Sequence, residues 1–288
     1  MYVPVLGPIM PDKLQIIGLC RFSYPTAEGS GFTTGATPEG HVPAVYDHGR
    51  LHRRLWLFRH ICLPGLTGQT DRDFSLIILV GQTLPDFARQ ALEEMIAGHP
   101  QLRLQVEPEF QRHDEICAQV LLDARHPRSR FVAEFGMDDD DCVAVTFIAE
   151  TRRIFAQCRD LITSEGRLEL DFCRGFAMLA EDGRLSFKQV VAPHWNCAQV
   201  ILQPAASPLS LFNFHHFRFW KRHTSFSFAR EPMFIRSFHG HNDSGNRWAG
   251  LKPNPGPQEE ADLLPVLRQR FALDLAAAQA SFLATAGV

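Results

Sequence analysis

The first half of the chain alternates between short apolar runs and apolar stripes at helical spacing. Runs at residues 14–20, 74–80, 102–106 and 130–137 are typical of buried strands. Between them, apolar residues recur as on one face of a helix, at Leu51, Leu55, Phe58 and Cys62, at Leu84, Phe87, Ala91 and Met95, and at Cys117, Val120, Leu121 and Ala124. This alternation predicts an α/β fold with a mostly parallel sheet flanked by helices.

Residues that start or stop helices lie at the ends of these stripes. We expect Pro64 to end the first helix, Pro85 to occupy the first turn of the second and Asp114 to cap the third. Residues 23–48, which follow the first strand, are rich in Gly, Pro, Thr and Ser and predict a long loop. A lid or acceptor contact and plain disorder are the two alternatives for this loop.

The second half has a different pattern, which predicts more β-structure and more aromatic residues. Runs at 168–179 and 185–191 predict an antiparallel hairpin with its turn at Asp182 and Gly183. An aromatic region continues to about Trp248, a Pro/Gly linker spans 252–258, and an Ala/Leu-rich helix is expected over 259–282.

Composition and charge exclude several classes of protein. The chain has 288 residues, 45% of them hydrophobic, which excludes a disordered chain. Its net charge of −3 provides no basic surplus for nucleic acid. The longest apolar run, 76–80, is far shorter than the ~20 residues that span a bilayer, and the proline-broken N-terminus is a poor signal peptide, so a cytoplasmic protein is expected. Seven scattered cysteines without a CxxC pair indicate reduced core thiols.

The acidic run Asp138–Asp141 directly follows a predicted strand and is the most informative segment. Four adjacent like charges repel one another unless a cation or several donors neutralise them. Mg²⁺ and Mn²⁺ prefer oxygen ligands, and Mg²⁺ often combines one or two carboxylates with substrate phosphates. The alternative is a solvated acidic turn that caps a helix over residues 144–158.

At this point the chain resembles glycosyltransferases of the GT-A fold, whose sheet ends in a D-x-D motif. The segment 61–66 with Gln69 and Thr70, followed by the run 74–80, is similar to the stretch before the second strand of that superfamily. More closely, the chain resembles the bacterial family of putative rhamnosyl transferases in four ordered segments, at residues 21–23, 138–141, 170–175 and 235–244.

The resemblance implies a single GT-A-like domain over residues 1–288 that transfers a sugar from a nucleotide-diphosphate donor, with rhamnose as the candidate sugar. Residues 14–160 would be the half that binds the nucleotide-sugar, 161–250 the half on the acceptor side, and 251–288 the linker and C-terminal helix. The acceptor stays open among a polysaccharide, a lipid-linked sugar, a protein and a small metabolite, and so does a peripheral membrane contact. A non-catalytic sugar- or nucleotide-binding module is the first alternative, and a nucleotidyltransferase is the second.

Site residues are implied by the same resemblance. Asp138 and Asp140 match the first and the metal-binding aspartate, for Mn²⁺ or Mg²⁺, while Asp139 occupies the variable position on the donor side. Arg21 follows the first strand, where a guanidinium can bind a diphosphate through two hydrogen bonds. His239 is expected to complete the metal shell and is preferred over His241.

The residues on the acceptor side are less sharply indicated. An inverting transferase needs a carboxylate to deprotonate the acceptor hydroxyl, and Asp243 and Asp171 are the candidates. In the aromatic segment 212–220, Phe214, Phe217, Phe219 and Trp220 are expected in the core, with stacking of one ring on a sugar as the alternative.

Overall fold

Two sheets organise the computed structural model, which describes residues 13–27, 44–240, 248–251, 253 and 260–285. The strands formed by the described residues are β1 (Leu14–Arg21), β2 (Ser75–Gly81), β3 (Leu102–Glu107), β4 (Phe131–Asp138), β5 (Cys142–Val143), β6 (Leu168–Phe172), β7 (Arg174–Glu181), β8 (Arg184–Val191), β9 (Gln199–Pro204), β10 (Thr224–Phe228) and β11 (Phe234–Phe238). The four strands predicted for the first half are all present, each shifted by at most one residue.

The large sheet has the order β10-β6-β9-β4-β1-β2-β3. Among these seven strands only β9 runs against its neighbours, since β4 and β6 both pair with it antiparallel. The predicted α/β class with a mostly parallel sheet is therefore confirmed. Strands β1, β2 and β4 are buried on both faces, as expected for near-continuous runs of Leu, Ile, Val and Phe, whereas β3 lies at the edge of the sheet and is only partly buried.

The small sheet has the order β5-β11-β7-β8. The predicted hairpin is present, because β7 and β8 pair antiparallel around Asp182 and Gly183, which both have positive φ. The prediction that residues 168–179 form one strand was wrong, however. It divides at Cys173 into β6, which joins the large sheet, and β7, which joins the small one. A period-two pattern continues through such a change of sheet, so the sequence does not indicate it.

Helices cover both faces of the large sheet. The α-helices that lie entirely within the described residues are α1 (His48–Leu57), α2 (Leu63–Thr67), α3 (Asp86–Ile96), α4 (His113–Asp123), α5 (Phe147–Glu165), α6 (Glu260–Phe271) and α7 (Leu275–Thr285), of which α7 contacts β8 of the small sheet. Helix α4 packs against Ile17, Leu19 and Ile77 on one face. Helices α1, α3 and α5 belong to the larger core on the other face. None of the described helices is long and apolar enough to cross a membrane.

The expectation that Pro64 ends the first helix was wrong. Helix α1 continues through a π-helical turn, Phe58–Cys62, into α2, where Pro64 lies in the first turn. Pro64 has no N–H to donate, and the chain continues past it directly after the wider π turn, in which hydrogen bonds join residues five apart. In the π turn the N–H of Leu63 donates to the carbonyl of Phe58.

Three other helix boundaries also differ from the expectations. Helix α4 begins before Asp114, with Arg112 as its N-cap, so Asp114 lies in the first turn and not at the cap. Helix α5 begins at Phe147, after β5 and a turn over residues 144–146, and it ends at Glu165, followed by Gly166 with a φ of 78°. The single helix expected over 259–282 is two helices, because the side chain of Asp274 caps α7 through the N–H of Ala277.

A buried ion pair fixes the segment that leads from β9 back over the sheet. Arg125 Nε lies 2.9 Å from Glu134 Oε1, and the guanidinium also donates to the carbonyls of Ala205, Ser207 and Leu209. Glu134 Oε2 accepts from the N–H of Leu211 at 2.8 Å. Burial raises the pKa of Glu134 even though Arg125 opposes the shift. The pair therefore ties residues 205–211 to β4.

We predict that Arg125→Ala lowers the free energy of unfolding by about 3–5 kcal/mol, because it leaves a buried carboxylate unpaired. Urea unfolding measures the change, and Arg103→Ala, an exposed arginine on β3, is the control. Equal stabilities of the two variants would contradict a structural role for the pair.

Candidate functional site

A cleft of about 570 Å³ opens on one face of the large sheet, at the end where β1 and β4 finish. Its lining includes Arg21, Asp138, Gln199, His216 and Arg236. Ligands of open α/β sheets bind beyond the carboxyl ends of the strands, and the cleft is in that position. Two residues predicted from the sequence, Arg21 and Asp138, therefore share one cleft.

The register of the sheet places Arg21 and Asp138 together. Strands β1 and β4 are parallel neighbours, and these two residues are opposite each other at the end of the ladder. Gly136 lies on the same face of β4, two residues earlier. A Cβ at Gly136 would be 3.2 Å from the ring of Phe212, so a larger residue here would require this ring to move away from the strand by a few tenths of an ångström.

The acidic run is buried, so the alternative of a solvated acidic turn was wrong. The exposed fractions of Asp139, Asp140 and Asp141 are 0%, 3% and 4%. Arg54, from α1, neutralises two of them. Its Nε donates to Asp139 Oδ2 at 2.9 Å, its Nη2 forms a second contact with Asp139, and its Nη1 donates to Asp140 Oδ2 at 2.9 Å. Asp139 thus faces Arg54 and does not line the cleft.

His239 also binds the acidic run. Its Nε2 is 2.8 Å from Asp140 Oδ2 and 3.3 Å from Arg54 Nη1. Burial alone would raise the pKa of Asp140, but Arg54 and His239 outweigh it and hold that pKa well below its usual range. The structure therefore brings His239 to Asp140, whereas the predicted residues His241 and Asp243 lie outside the described residues.

Three carboxylates of the run form a possible cation site. One oxygen each from Asp138, Asp140 and Asp141 can be chosen so that all lie within 4.8 Å of one another. Burial raises the pKa of Asp138 and that of Asp141, and repulsion from Asp140 raises both further. One oxygen of Asp141 accepts from the N–H of Ser237 at 2.9 Å. A buried, oxygen-only and electrostatically repulsive set of ligands fits a hard divalent cation.

Strand β11 brings a second arginine to this site. It pairs with β5, with Ile235 opposite Cys142, directly after the acidic run. Arg236 therefore lies in the cleft, and its guanidinium is 4.9 Å from the centre of the Trp195 ring. Burial alone would lower the pKa of Arg236, but Asp141 and Asp138 outweigh it and raise that pKa. The cleft thus combines two arginines with Asp138.

Sequence reasoning missed Arg54 and Arg236. Arg54 does not belong to the apolar stripe of α1, and residues outside that stripe are expected to be exposed. It is buried only because α1 packs on the acidic run. Arg236 lies within the segment 235–244 that carries the resemblance. Its position three residues before His239, the predicted metal ligand, was a signal that could have been used.

The predicted base Asp171 lies on β6, at the same end of the sheet. Its Oδ2 accepts from Ser227 Oγ at 2.8 Å, and its Oδ1 accepts from the N–H of His194 at 3.1 Å. Burial raises the pKa of Asp171, although these hydrogen bonds oppose the shift. Both carboxylate oxygens are therefore occupied by protein donors.

The expectation of a buried aromatic segment is confirmed only in part. Phe219 is buried and Phe214 is half-buried. Phe217 and Trp220 are exposed, and Trp220 keeps 50% of its surface accessible. The two exposed rings belong to a short 3₁₀-helical segment, His216–Lys221, whose geometry turns successive side chains to different sides.

Comparison with known proteins confirms the resemblance. A family model described as "Putative rhamnosyl transferase" matches residues 15–250, which is most of the chain. No curated protein matches the chain.

The chain is similar to several solved structures. S. aureus TarS 1-349 in complex with UDP shares 10% identity at a TM-score of 0.39, over 94% of this chain and 70% of that chain. A longer TarS structure shares 10% identity at a TM-score of 0.39, over 78% of this chain but only 37% of that chain. A putative nucleotide-diphospho-sugar transferase from Desulfovibrio desulfuricans shares 12% identity at a TM-score of 0.38, over 95% of this chain and 97% of that chain.

We predict that Arg54→Met lowers the free energy of unfolding by about 3–5 kcal/mol, because Asp139 and Asp140 lose the guanidinium that pairs with them in the interior. Arg53→Met, at the exposed neighbouring position of the same helix, should change it by no more than about 0.5 kcal/mol. Urea unfolding of both variants checks the prediction, and a small effect of Arg54→Met would mean that the acidic run is neutralised in another way.

Proposed function

The chain belongs to the rhamnosyl transferase family matched above, and from that premise we propose that it transfers a sugar from a nucleotide-diphosphate donor to an acceptor hydroxyl. One observation carries the proposal. Arg21 and Arg236 lie with Asp138 in a single cleft at the ends of β1 and β4. Cations beside a carboxylate at this edge of a sheet fit a charged phosphate ligand better than an apolar one.

In the proposed donor complex the diphosphate lies between Arg21 and Arg236. Guanidinium groups bind phosphate oxygens through charge-assisted, often bidentate hydrogen bonds, and they stabilise the negative charge that develops on the leaving diphosphate. Asp138 contacts the donor directly or through a cation. Asp139 takes a different role from the one implied by resemblance, because its carboxylate holds Arg54 in place.

Asp138, Asp140 and Asp141 would hold the divalent cation, Mn²⁺ or Mg²⁺. When bound, the cation would supply additional positive charge to the departing diphosphate. His239 lies against Asp140 and Arg54, so we assign it to orienting Asp140 and not to the cation itself.

Rhamnose is the proposed sugar on the basis of the family alone, and the acceptor is proposed to be a polysaccharide, a lipid-linked sugar or a protein. The proposal includes a cytoplasmic location, in keeping with seven cysteines that are all buried and unpaired.

We expect one of UDP, GDP and dTDP to bind in the presence of Mn²⁺, and Arg236→Ala to weaken that binding by roughly 1.5–3 kcal/mol because a charged hydrogen bond is lost. This corresponds to about 10- to 150-fold in the dissociation constant. Calorimetric titration measures it, with Arg218→Ala, an exposed arginine nearby, as the control. An unchanged dissociation constant in Arg236→Ala would remove this arginine from the donor site.

A second prediction concerns the cation. Asp138→Asn should abolish the gain in nucleotide affinity that Mn²⁺ gives the wild type, because one of three clustered carboxylates is lost. Asp114→Asn changes another carboxylate of the cleft lining and should keep the gain. The same titrations, run with and without Mn²⁺, decide the question. An equal gain in wild type and Asp138→Asn would contradict the assigned ligands.

The products distinguish the proposed transferase from its alternatives. A transferase releases nucleoside diphosphate, a nucleotidyltransferase releases inorganic pyrophosphate, and a binding module releases neither. Phosphate-containing products can be identified by ion-exchange chromatography after incubation with nucleotide-sugars and, separately, with nucleoside triphosphates plus sugar 1-phosphates, from which a nucleotidyltransferase would release pyrophosphate.

A further inference from the structure

A second cluster of buried polar side chains lies on β6, outside the donor-binding residues. Glu169 and Asp171 are two residues apart and so point to the same face of the sheet. Both are buried, Glu169 completely. Each binds a different part of His194, whose backbone has a φ of 61°, which is uncommon for a residue with a side chain. A strained residue held by two carboxylates is a candidate functional position.

The contact between Glu169 and His194 selects the tautomer of the neutral imidazole. His194 Nδ1 is 3.0 Å from Glu169 Oε1. The amide of Gln199 donates to that same oxygen, while Glu169 Oε2 is buried and has no hydrogen-bond partner among the described residues. A buried carboxylate with spare acceptor capacity favours a proton on Nδ1, and the other ring nitrogen then keeps its lone pair.

That other nitrogen, Nε2, belongs to a side chain that keeps 17% of its surface accessible. This nitrogen has no hydrogen-bond partner within the described part of the chain, and it is not among the buried unpaired atoms of that part. The ring of His194 also stacks on Trp220, with centroids 5.9 Å apart and an interplanar angle of 19°. Glu169 on one side and Trp220 on the other fix the orientation of the imidazole.

The cluster borders the cleft described above. Gln199 and His216 both line the cleft, and the amide of Gln199 joins the carboxylate of Glu169 to the carbonyl of His216. Strands β6 and β4 are separated by β9 alone, which puts them about 10 Å apart at the usual strand spacing. His194 therefore lies on the side of the cleft away from β1, where the half on the acceptor side was expected.

We propose that His194, oriented by Glu169, is the base that deprotonates the acceptor hydroxyl; this rests on the proposed function. Nε2 takes the hydroxyl proton while the oxygen forms a bond to the anomeric carbon of the donor sugar. The bond between that carbon and the diphosphate oxygen breaks, and its electron pair leaves with the nucleoside diphosphate. Glu169 stabilises the imidazolium, which afterwards releases its proton to solvent.

Asp171 then has a positioning role. Its two oxygens bind the N–H of His194 and the hydroxyl of Ser227, so it holds the backbone at the strained residue. A water-accessible imidazole is the better base here, because the carboxylate of Asp171 would have to exchange protein donors for the acceptor.

Nitrogen-15 NMR tests the geometry without any substrate. At a pH where imidazole is neutral, the signals of His194, identified by their loss in His194→Gln, should show a protonated Nδ1 and a bare Nε2. The opposite tautomer would overturn the proposal, because Nε2 could then not accept a proton.

Turnover of nucleotide-sugar with water in place of the acceptor tests the chemistry, with UDP-GlcNAc and dTDP-rhamnose as probes. His194→Ala should lower release of nucleoside diphosphate by about 100- to 10,000-fold, the range of general base catalysis. Added imidazole should restore part of it, while the dissociation constant for the nucleoside diphosphate stays unchanged. His223→Ala, which removes an imidazole packed on Phe214 and Phe219, should retain wild-type turnover.

The possible failures can be told apart. Unchanged turnover in His194→Ala, or a loss that imidazole does not restore, overturns the role of His194 while the donor site stands. A wild-type protein that binds nucleotide but turns over neither probe likewise contradicts a base at this position. A wild-type protein that binds no nucleoside diphosphate overturns the proposed function, and the role of His194 with it.

Discussion

The insertion of Arg54 between Asp139 and Asp140 is the interaction on which the site depends. Four consecutive aspartates at the end of a central strand would repel one another in the interior, yet three of them are buried. One guanidinium from α1 binds two of them, and His239 from the residues after β11 binds the second. The interaction therefore ties α1, the end of β4 and the end of β11 together at the cleft.

This arrangement also divides the acidic run into two functional parts. Asp139 and Asp140 are neutralised from within the protein, and the pKa of Asp140 is lowered accordingly. Asp138 and Asp141 have raised pKa values, because burial and repulsion act on them with less compensation. The cleft beside them carries Arg21 and Arg236. Arginines and carboxylates thus lie next to each other, and a metal-bound diphosphate would offer phosphate oxygens to the arginines and a cation to the carboxylates.

Buried carboxylates recur along the same face of the large sheet. Glu134 on β4 and Glu169 on β6 both lie opposite Ile201 on β9, so they are on one level of the sheet. Glu134 is satisfied by Arg125 and shapes the segment over the cleft. Glu169 keeps an oxygen without a partner and faces a histidine. The two carboxylates therefore differ in how many of their oxygens have hydrogen-bond partners, and this separates a structural carboxylate from one available for chemistry.

The sequence by itself determined the α/β alternation, strands β1 to β4, the hairpin β7–β8 and the acidic run at the end of β4. These follow from local hydrophobic period and from turn residues, which act over a few positions. Only the tertiary structure decided the division of 168–179 between two sheets, the burial of Arg54 and the meeting of Glu169 with His194. Such contacts join residues 25 to 185 positions apart. They are stabilised by burial in the folded chain, which a local sequence pattern does not predict.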